Sequence, residues 1–311
     1  GTLEITHSGS VDESLYTAPV DFQRFYAPNA TALAPTMGPS GGNFPVVVIG
    51  SDLSYDGAAY PTMCQWGAAD GGIMRSGEAS ENNTRLSCMM PQLSPSSHAL
   101  TLSLNSPSSS DAGDTDLFDN LTVTAFTVAG RTPVSIPLNV SRDATLTING
   151  FGDGGSNRSL ERLLATKEIA MVCRFANLSA IGVEDDATKA CGFSTSYVIA
   201  RDPADTTVQC PAPVLYELAA TNTDGACELS IEVAVFEGAD AQHVHAEVAR
   251  LGNAADLTES LTNLTERMYF TQSNQYIFYY TPPIVTAVEV VTRTLLNTTT
   301  SVAVPSSRTT G

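Results

Sequence analysis

The sequence predicts an all-β protein built as a tandem of β-sandwiches, and three observations carry that expectation. First, the apolar stretch Pro45-Val46-Val47-Val48-Ile49-Gly50 is followed by Met63-Cys64-Gln65-Trp66-Gly67 and then by Ser87-Cys88-Met89-Met90-Pro91. Each reads as a short strand, and two of the three carry a cysteine. Second, the same order returns about one hundred residues later as Leu146-Thr147-Ile148-Asn149-Gly150, Val172-Cys173-Arg174-Phe175 and Gln209-Cys210-Pro211-Ala212-Pro213. A repeat of that length is too long for a solenoid unit and suits a small β domain. Third, clean alternation marks Ala99-Leu100-Thr101-Leu102-Ser103-Leu104 and the run from Cys227 to Gly238, where Leu229, Ile231, Val233 and Val235 share a face. The 311 residues leave room for about two domains, each long enough to bury a core.

Taken in order, residues 1–28 hold two strand-like pieces, Thr2–Thr6 and Val20–Tyr26, the second aromatic and closed by Pro28. They match Gln275–Pro282, where an aromatic strand also ends in Tyr, one residue and Pro, so residues 1–28 read as the last strands of an incomplete sandwich. A first complete module is expected over 29–130. The Gly38-Pro39-Ser40-Gly41-Gly42 turn feeds the Val46–Ile49 strand, a polar loop runs from Ala68 to Asn83, and strands follow at Leu86–Met89 and Ala99–Leu104. Ser106 to Asp119 is too poor in hydrophobes to pack, and Leu121–Val128 closes the module. A second module, 131–282, carries insertions. Asn157 to Lys167 predicts a short helix with Leu160, Leu163 and Leu164 on one face, and Gln242 to Glu266 predicts helical patches with Leu257, Leu261 and Leu264 as a stripe. Val183 to Lys189 is an acidic loop. From residue 283 the pattern opens again, with β-branched runs at Ile284–Val291 and Ser301–Val304; residues 283–311 therefore read as the opening strands of a further module.

Composition bounds the function. The net charge is −18, and lysine occurs only at Lys167 and Lys189. Such a surface repels phosphate backbones and anionic lipid, so no nucleic-acid partner and no membrane insertion are expected. Six cysteines, Cys64, Cys88, Cys173, Cys191, Cys210 and Cys227, show no C-x-x-C spacing and no histidine in ligand register, which argues against zinc and for disulfides in an oxidising compartment. Six cysteines allow fifteen pairings. The repeat singles out Cys64–Cys88 and Cys173–Cys210 and leaves Cys191–Cys227 as an extra bridge. Eight N-x-[ST] sequons, at Asn29, Asn82, Asn120, Asn139, Asn157, Asn177, Asn263 and Asn297, fall among fifteen asparagines. Chance in a Ser/Thr-rich chain gives roughly three, so N-linked glycans are the covalent groups expected, with no other cofactor. No signal peptide or long apolar run is present, and the chain reads as mature extracellular material, secreted or on a cell-surface appendage, or as a segment cut from something longer.

Patterns of enzymes are missing. There is no G-x-S-x-G elbow, Walker loop or H-E-x-x-H motif, so no enzymatic activity is expected. His243-x-His245 reads as a surface pair, Gly150–Gly155 as a wide turn, and Trp66 beside Cys64 as packing against a disulfide. Asp111, Asp114, Asp116 and Asp119 share a loop, but their spacing fits no EF-hand.

The Gly-Pro-Ser-Gly-Gly turn, the Val-Val-Val-Ile-Gly strand, Cys-Gln-Trp-Gly and the Cys-x-x-Pro element resemble an IPT/TIG domain, the immunoglobulin-like fold found in plexin ectodomains and some transcription factors. Residues 29–130 carry the pattern well; residues 131–281 carry it more loosely. The resemblance implies immunoglobulin-like sandwiches, with short helical insertions in the second, and a disulfide between the two cysteine strands in extracellular members. It also implies interaction or spacer roles. The end pieces suggest a further expectation: a structural protein that polymerises head to tail by strand complementation into an extracellular filament, its partner being copies of itself. The strand positions that would meet are Leu3, Ile5, Phe22, Phe25, Tyr26, Ile284, Val285, Val288, Val290, Val302 and Val304. The alternatives are an adhesion or receptor ectodomain fragment of a longer IPT/TIG array, and an accessory module of a secreted carbohydrate-active enzyme.

Overall fold

The computed structural model describes residues 28–54, 62–67, 72–80, 82–103, 121–152, 159–177, 191–192, 195–219, 222, 225–251, 257, 261, 268–272 and 275–283; of 2–3, 20–21, 288–295 and 298–305 it describes the strand pairing. The fold is mostly β, with two short helices among these residues. Two compact units divide the chain, Gly1–Phe126 and Thr127–Gly311.

In the first unit, β1 (Thr2–Leu3) and β2 (Val20–Asp21) pair only with each other among the described residues. The sandwich follows: β3 (Asn29–Ala34), β4 (Met37–Pro39), β5 (Pro45–Ser51), β6 (Met63–Trp66), β7 (Ile73–Ala79), β8 (Arg85–Met89), β9 (Ser96–Ser103) and the first half of β10 (Leu121–Thr132). One sheet runs β3-β5-β8-β7 and the other β4-β10-β9-β6-β7. Only β4 to β10 is parallel. Val46, Val48, Leu86, Leu100, Leu102 and Val123 are fully buried, because period-two alternation puts each on an inner face.

The glycine turn has a packing reason. Phe44 is fully buried, and a Cβ at Gly38 would fall inside its ring. Gly42 takes a φ of +74° against the Pro91 backbone, a region open to glycine. Backbone bonds from Ser40 N to Phe126 O and from Asn43 N to Met90 O, both 2.8 Å, tie the turn to the last strand and to the Cys88 strand.

The expected loop from Ala68 to Asn83 is corrected: β7 occupies Ile73–Ala79. Its residues Ile73 to Ser76 pair with β6 and Gly77 to Ala79 with β8, so this strand changes sheets. The sequence hides it because Ile73-Met-Arg-Ser-Gly-Glu-Ala is polar and largely exposed, and changing sheets breaks any two-residue alternation.

The second unit repeats the ladder. The second half of β10 pairs with β12 (Asp143–Asn149) as β3 does with β5, and β11 (Ser135–Pro137) runs parallel to the strand at Tyr276–Tyr280 as β4 does to β10. β13 (Ile169–Asn177) takes the place of β6, β16 (Thr207–Pro211) that of β8, β17 (Ala226–Glu237) that of β9 and β18 (Tyr276–Tyr280) that of β10. The sheet-changing strand is here two, β14 (Thr195–Ile199) on β13 and β15 (Arg201–Ala204) on β16. The border expected after residue 130 falls inside β10, and so does the division between units.

Helix α1 (Leu160–Ala165) lies within the expected helix, capped by Ser159, whose hydroxyl accepts from Arg162 N at 3.4 Å; it buries Leu160 and Leu163. Helix α2 (Gly238–Leu251) starts earlier than the expected patches, directly at the end of β17. Ala241, Val244 and Val248 pack with Leu257 and Leu261 on Ala170, Val172 and Phe236. Leu264 lies outside the described residues. The β13–β17 sheet is thus covered on both faces. Leu229, Ile231 and Val233 are buried as the alternation predicts, Val235 is only partly so, and the opposite face, Ser230, Glu232, Ala234 and Phe236, is buried too. Last, β19 (Val288–Leu295) and β20 (Thr298–Pro305) form an antiparallel hairpin with eight rungs, from Val288 opposite Pro305 to Leu295 opposite Thr298.

Candidate interaction surfaces

Three disulfides form, Cys64–Cys88, Cys173–Cys210 and Cys191–Cys227, with Cα–Cα distances of 6.0, 6.1 and 5.1 Å. This is the pairing that the repeat suggests. Cys64 and Cys173 sit on equivalent strands β6 and β13, Cys88 and Cys210 on equivalent strands β8 and β16, and all six are buried. The third bridge ties residue 191 to the start of β17 in the second unit. Buried cystines of this kind belong to an oxidising compartment.

Of the sequons, Asn29, Asn82 and Asn139 are exposed and Asn177 is half-buried at the end of β13. Asn120, Asn157, Asn263 and Asn297 lie outside the described residues, as does the aspartate loop from 111 to 119. Asn139 stands in a turn with φ +61°, a left-handed conformation that asparagine tolerates. Its backbone N–H donates to Leu215 O at 2.8 Å.

The candidate assembly strands are only partly placed. Leu3 is in β1, Val288 and Val290 in β19, and Val302 and Val304 in β20. Ile5, Phe22, Phe25, Tyr26, Ile284 and Val285 lie outside the described residues. Among the described residues β19 and β20 pair with each other and with no further strand.

The outer face of the second unit's helix-covered sheet holds a polar row that sequence reasoning missed. Tyr197, Arg174 and Glu232 stand on one rung across β14, β13 and β17. Arg174 Nε donates to Glu232 Oε2 at 2.8 Å, and Nη2 donates to the same oxygen. The guanidinium carbon lies 4.2 Å from the Phe270 ring centroid, and the rings of Phe270 and Tyr197 are 5.8 Å apart. The available signal was an Arg and a Glu inside otherwise apolar strands, which in a buried sheet implies a pair. Toward the sheet edge, Tyr276, Phe278 and Tyr280 alternate outward on β18, with Phe278 38% exposed beside the exposed Val134, whose carbonyl accepts from Phe278 N. Tyr279, on the inner face, donates its hydroxyl to Pro213 O at 2.8 Å, and burial holds its pKa well above the usual phenol value.

The histidine pair does not converge. His243 is exposed, whereas His245 Nε2 lies 3.0 Å from Ile169 O, as expected for positions two apart on a helix. Among the described residues no three His, Cys, Asp or Glu side chains are grouped to hold a metal ion, and no helix is long and apolar enough to cross a membrane.

These features define a class: a disulfide-pinned tandem of immunoglobulin-like β-sandwiches. No protein-family model and no curated protein matches the sequence. Among solved structures the chain is similar to a plexin A4 full extracellular region, domains 1 to 10, at 13% identity and a TM-score of 0.33, over 94% of this chain and 19% of that one. It is also similar to a plexin A4 extracellular region with domains 1 to 8, at 10% identity and a TM-score of 0.27, over 82% of this chain and 27% of that one. The chain spans about a fifth of the first plexin's length, and TM-scores this low carry neither a fold nor a role across.

Proposed function

We propose that the chain is a non-catalytic interaction and spacer module of an extracellular array of IPT/TIG-type sandwiches, of the adhesion or receptor ectodomain kind. The supporting observation is the repeated buried cystine, Cys64–Cys88 and Cys173–Cys210, between equivalent strands of two units with the same ladder. A cross-link at the centre of each sandwich holds the fold outside the cell, and the sequons at exposed Asn29, Asn82 and Asn139 suit a glycan-coated surface. The acidic surface favours partners that are not polyanions.

A second reading is favoured by one observation. Strands β19 and β20 are eight residues each and take no third strand among the described residues. An edge of that length accepts or donates a strand to another copy, which gives a head-to-tail homopolymer. Light scattering on the purified secreted chain over a concentration range, with electron microscopy of the same samples, separates the two. A monodisperse monomer supports the module reading. Filaments repeating at one subunit, lost when residues 288–305 are deleted, support the polymer instead. A reduced, unglycosylated chain recovered from the cytosol removes both.

A further inference from the structure

Tyr216 is the most exposed large apolar or aromatic side chain among the described residues, at 74%. It sits on a loop that three bonds hold in place: Ala212 N to Arg142 O at 3.1 Å, Tyr279 Oη to Pro213 O at 2.8 Å, and Asn139 N to Leu215 O at 2.8 Å. The last bond puts the residue after Leu215 beside Asn139. Asn139-Val140-Ser141 is a sequon whose Asn and Ser are both exposed, in a surface turn, and Val140 is itself 39% exposed. The backbone of an exposed aromatic residue thus runs beside an exposed sequon, within reach of a sugar carried there. The face of an aromatic ring carries negative potential and attracts the polarised C–H bonds of a sugar, and exposed apolar side chains gain by being covered.

We propose that Asn139 carries an N-linked glycan whose first sugar ring lies on Tyr216 and Val140. The modification joins Asn139 Nδ2 to C1 of the sugar. The bond from C1 to the diphosphate of an activated oligosaccharide donor breaks, the diphosphate leaves with the bonding pair, and one amide proton goes to a base. The inference rests on the secretory reading given above and deepens it by assigning one site and its aromatic platform.

The test uses the full chain secreted from a glycosylating host. Glycopeptide mass spectrometry reads occupancy, and tetranitromethane nitration followed by peptide mapping reads the accessibility of Tyr216. The expected result is a sugar on Asn139 and nitration of Tyr216 several-fold slower than in Asn139→Gln. Ser141→Ala, which removes the sequon but keeps the asparagine in its left-handed turn, gives the same rise if Asn139→Gln misfolds. Tyr216→Ala should erase the difference in melting temperature between the glycosylated and Ser141→Ala chains. Sugar at Asn29 and Asn82 with Asn139 bare overturns this inference alone. Equal nitration rates with and without the glycan overturn it as well. Bare sequons throughout overturn both it and the secretory reading.

Discussion

At the residue scale, the Arg174–Glu232 pair is a place where a single change in the second unit is costly. Glu232 is almost fully buried and Arg174 is mostly so, and they face each other on a central rung. Taking two charges from water into a sheet face is costly, and here their mutual bond and the Phe270 ring offset that cost. Removing one partner is therefore worse than removing both. Arg174→Ala should lower stability by about 3–5 kcal/mol, and Arg174→Met with Glu232→Leu should recover most of it, as read in a denaturant double-mutant cycle. Tyr279 gives a pH signature. Its folded pKa is raised by burial, so its contribution is fully present below the unfolded phenol value of about 10 and is lost as pH rises beyond it. Tyr269 is raised in the same direction and also by burial. Denaturation curves between neutral and strongly alkaline pH should show stability falling above that value, and Tyr279→Phe should make the fall shallower.

At the scale of elements, the strands that alternate cleanly were legible and those buried on both faces or on neither were not. Leu100 and Leu102 on β9 were placed on the inner face by alternation alone. On β17 the same logic found Leu229, Ile231 and Val233 but missed that Ser230 and Glu232 are equally buried, because only the covering layer reveals it. That layer, α2 with Leu257 and Leu261, is built from residues distant in sequence from the sheet residues Ala170 and Val172 they cover. Strand β7 was invisible because its residues pair with one sheet and then the other while most of them face solvent. If the helical layer is a structural part of the sandwich, Leu257→Ala should cost about 2–5 kcal/mol in a thermal or chemical melt. Disulfides act at the same scale. Cys64 and Cys88 are 24 residues apart, and replacing both by alanine should cost about 3.5 kcal/mol by loop-closure entropy, measured against the native chain without reductant.

For the whole molecule, the account depends on the chain being two copies of one disulfide-centred sandwich. The equivalence was visible in the sequence as Cys-x-x-Pro at Cys88 and Cys-Pro at Cys210, each preceded by a strand with its partner cysteine, Cys64 or Cys173. The matching ladders, including a short parallel strand beside β10 in one unit and beside β18 in the other, needed the fold to be seen. The site was less legible. Sequons located candidate attachment points, but nothing in the sequence placed Tyr216 next to Asn139, since their neighbourhood rests on a backbone bond spanning Asn139 and Leu215. Peptide mapping by mass spectrometry of the chain from its natural source, digested without reductant, tests the central claim most directly. The account predicts three linked pairs, Cys64 with Cys88, Cys173 with Cys210, and Cys191 with Cys227, and no free thiol; cysteines recovered reduced, or a bridge joining the first unit's cysteines to the second's, would contradict it.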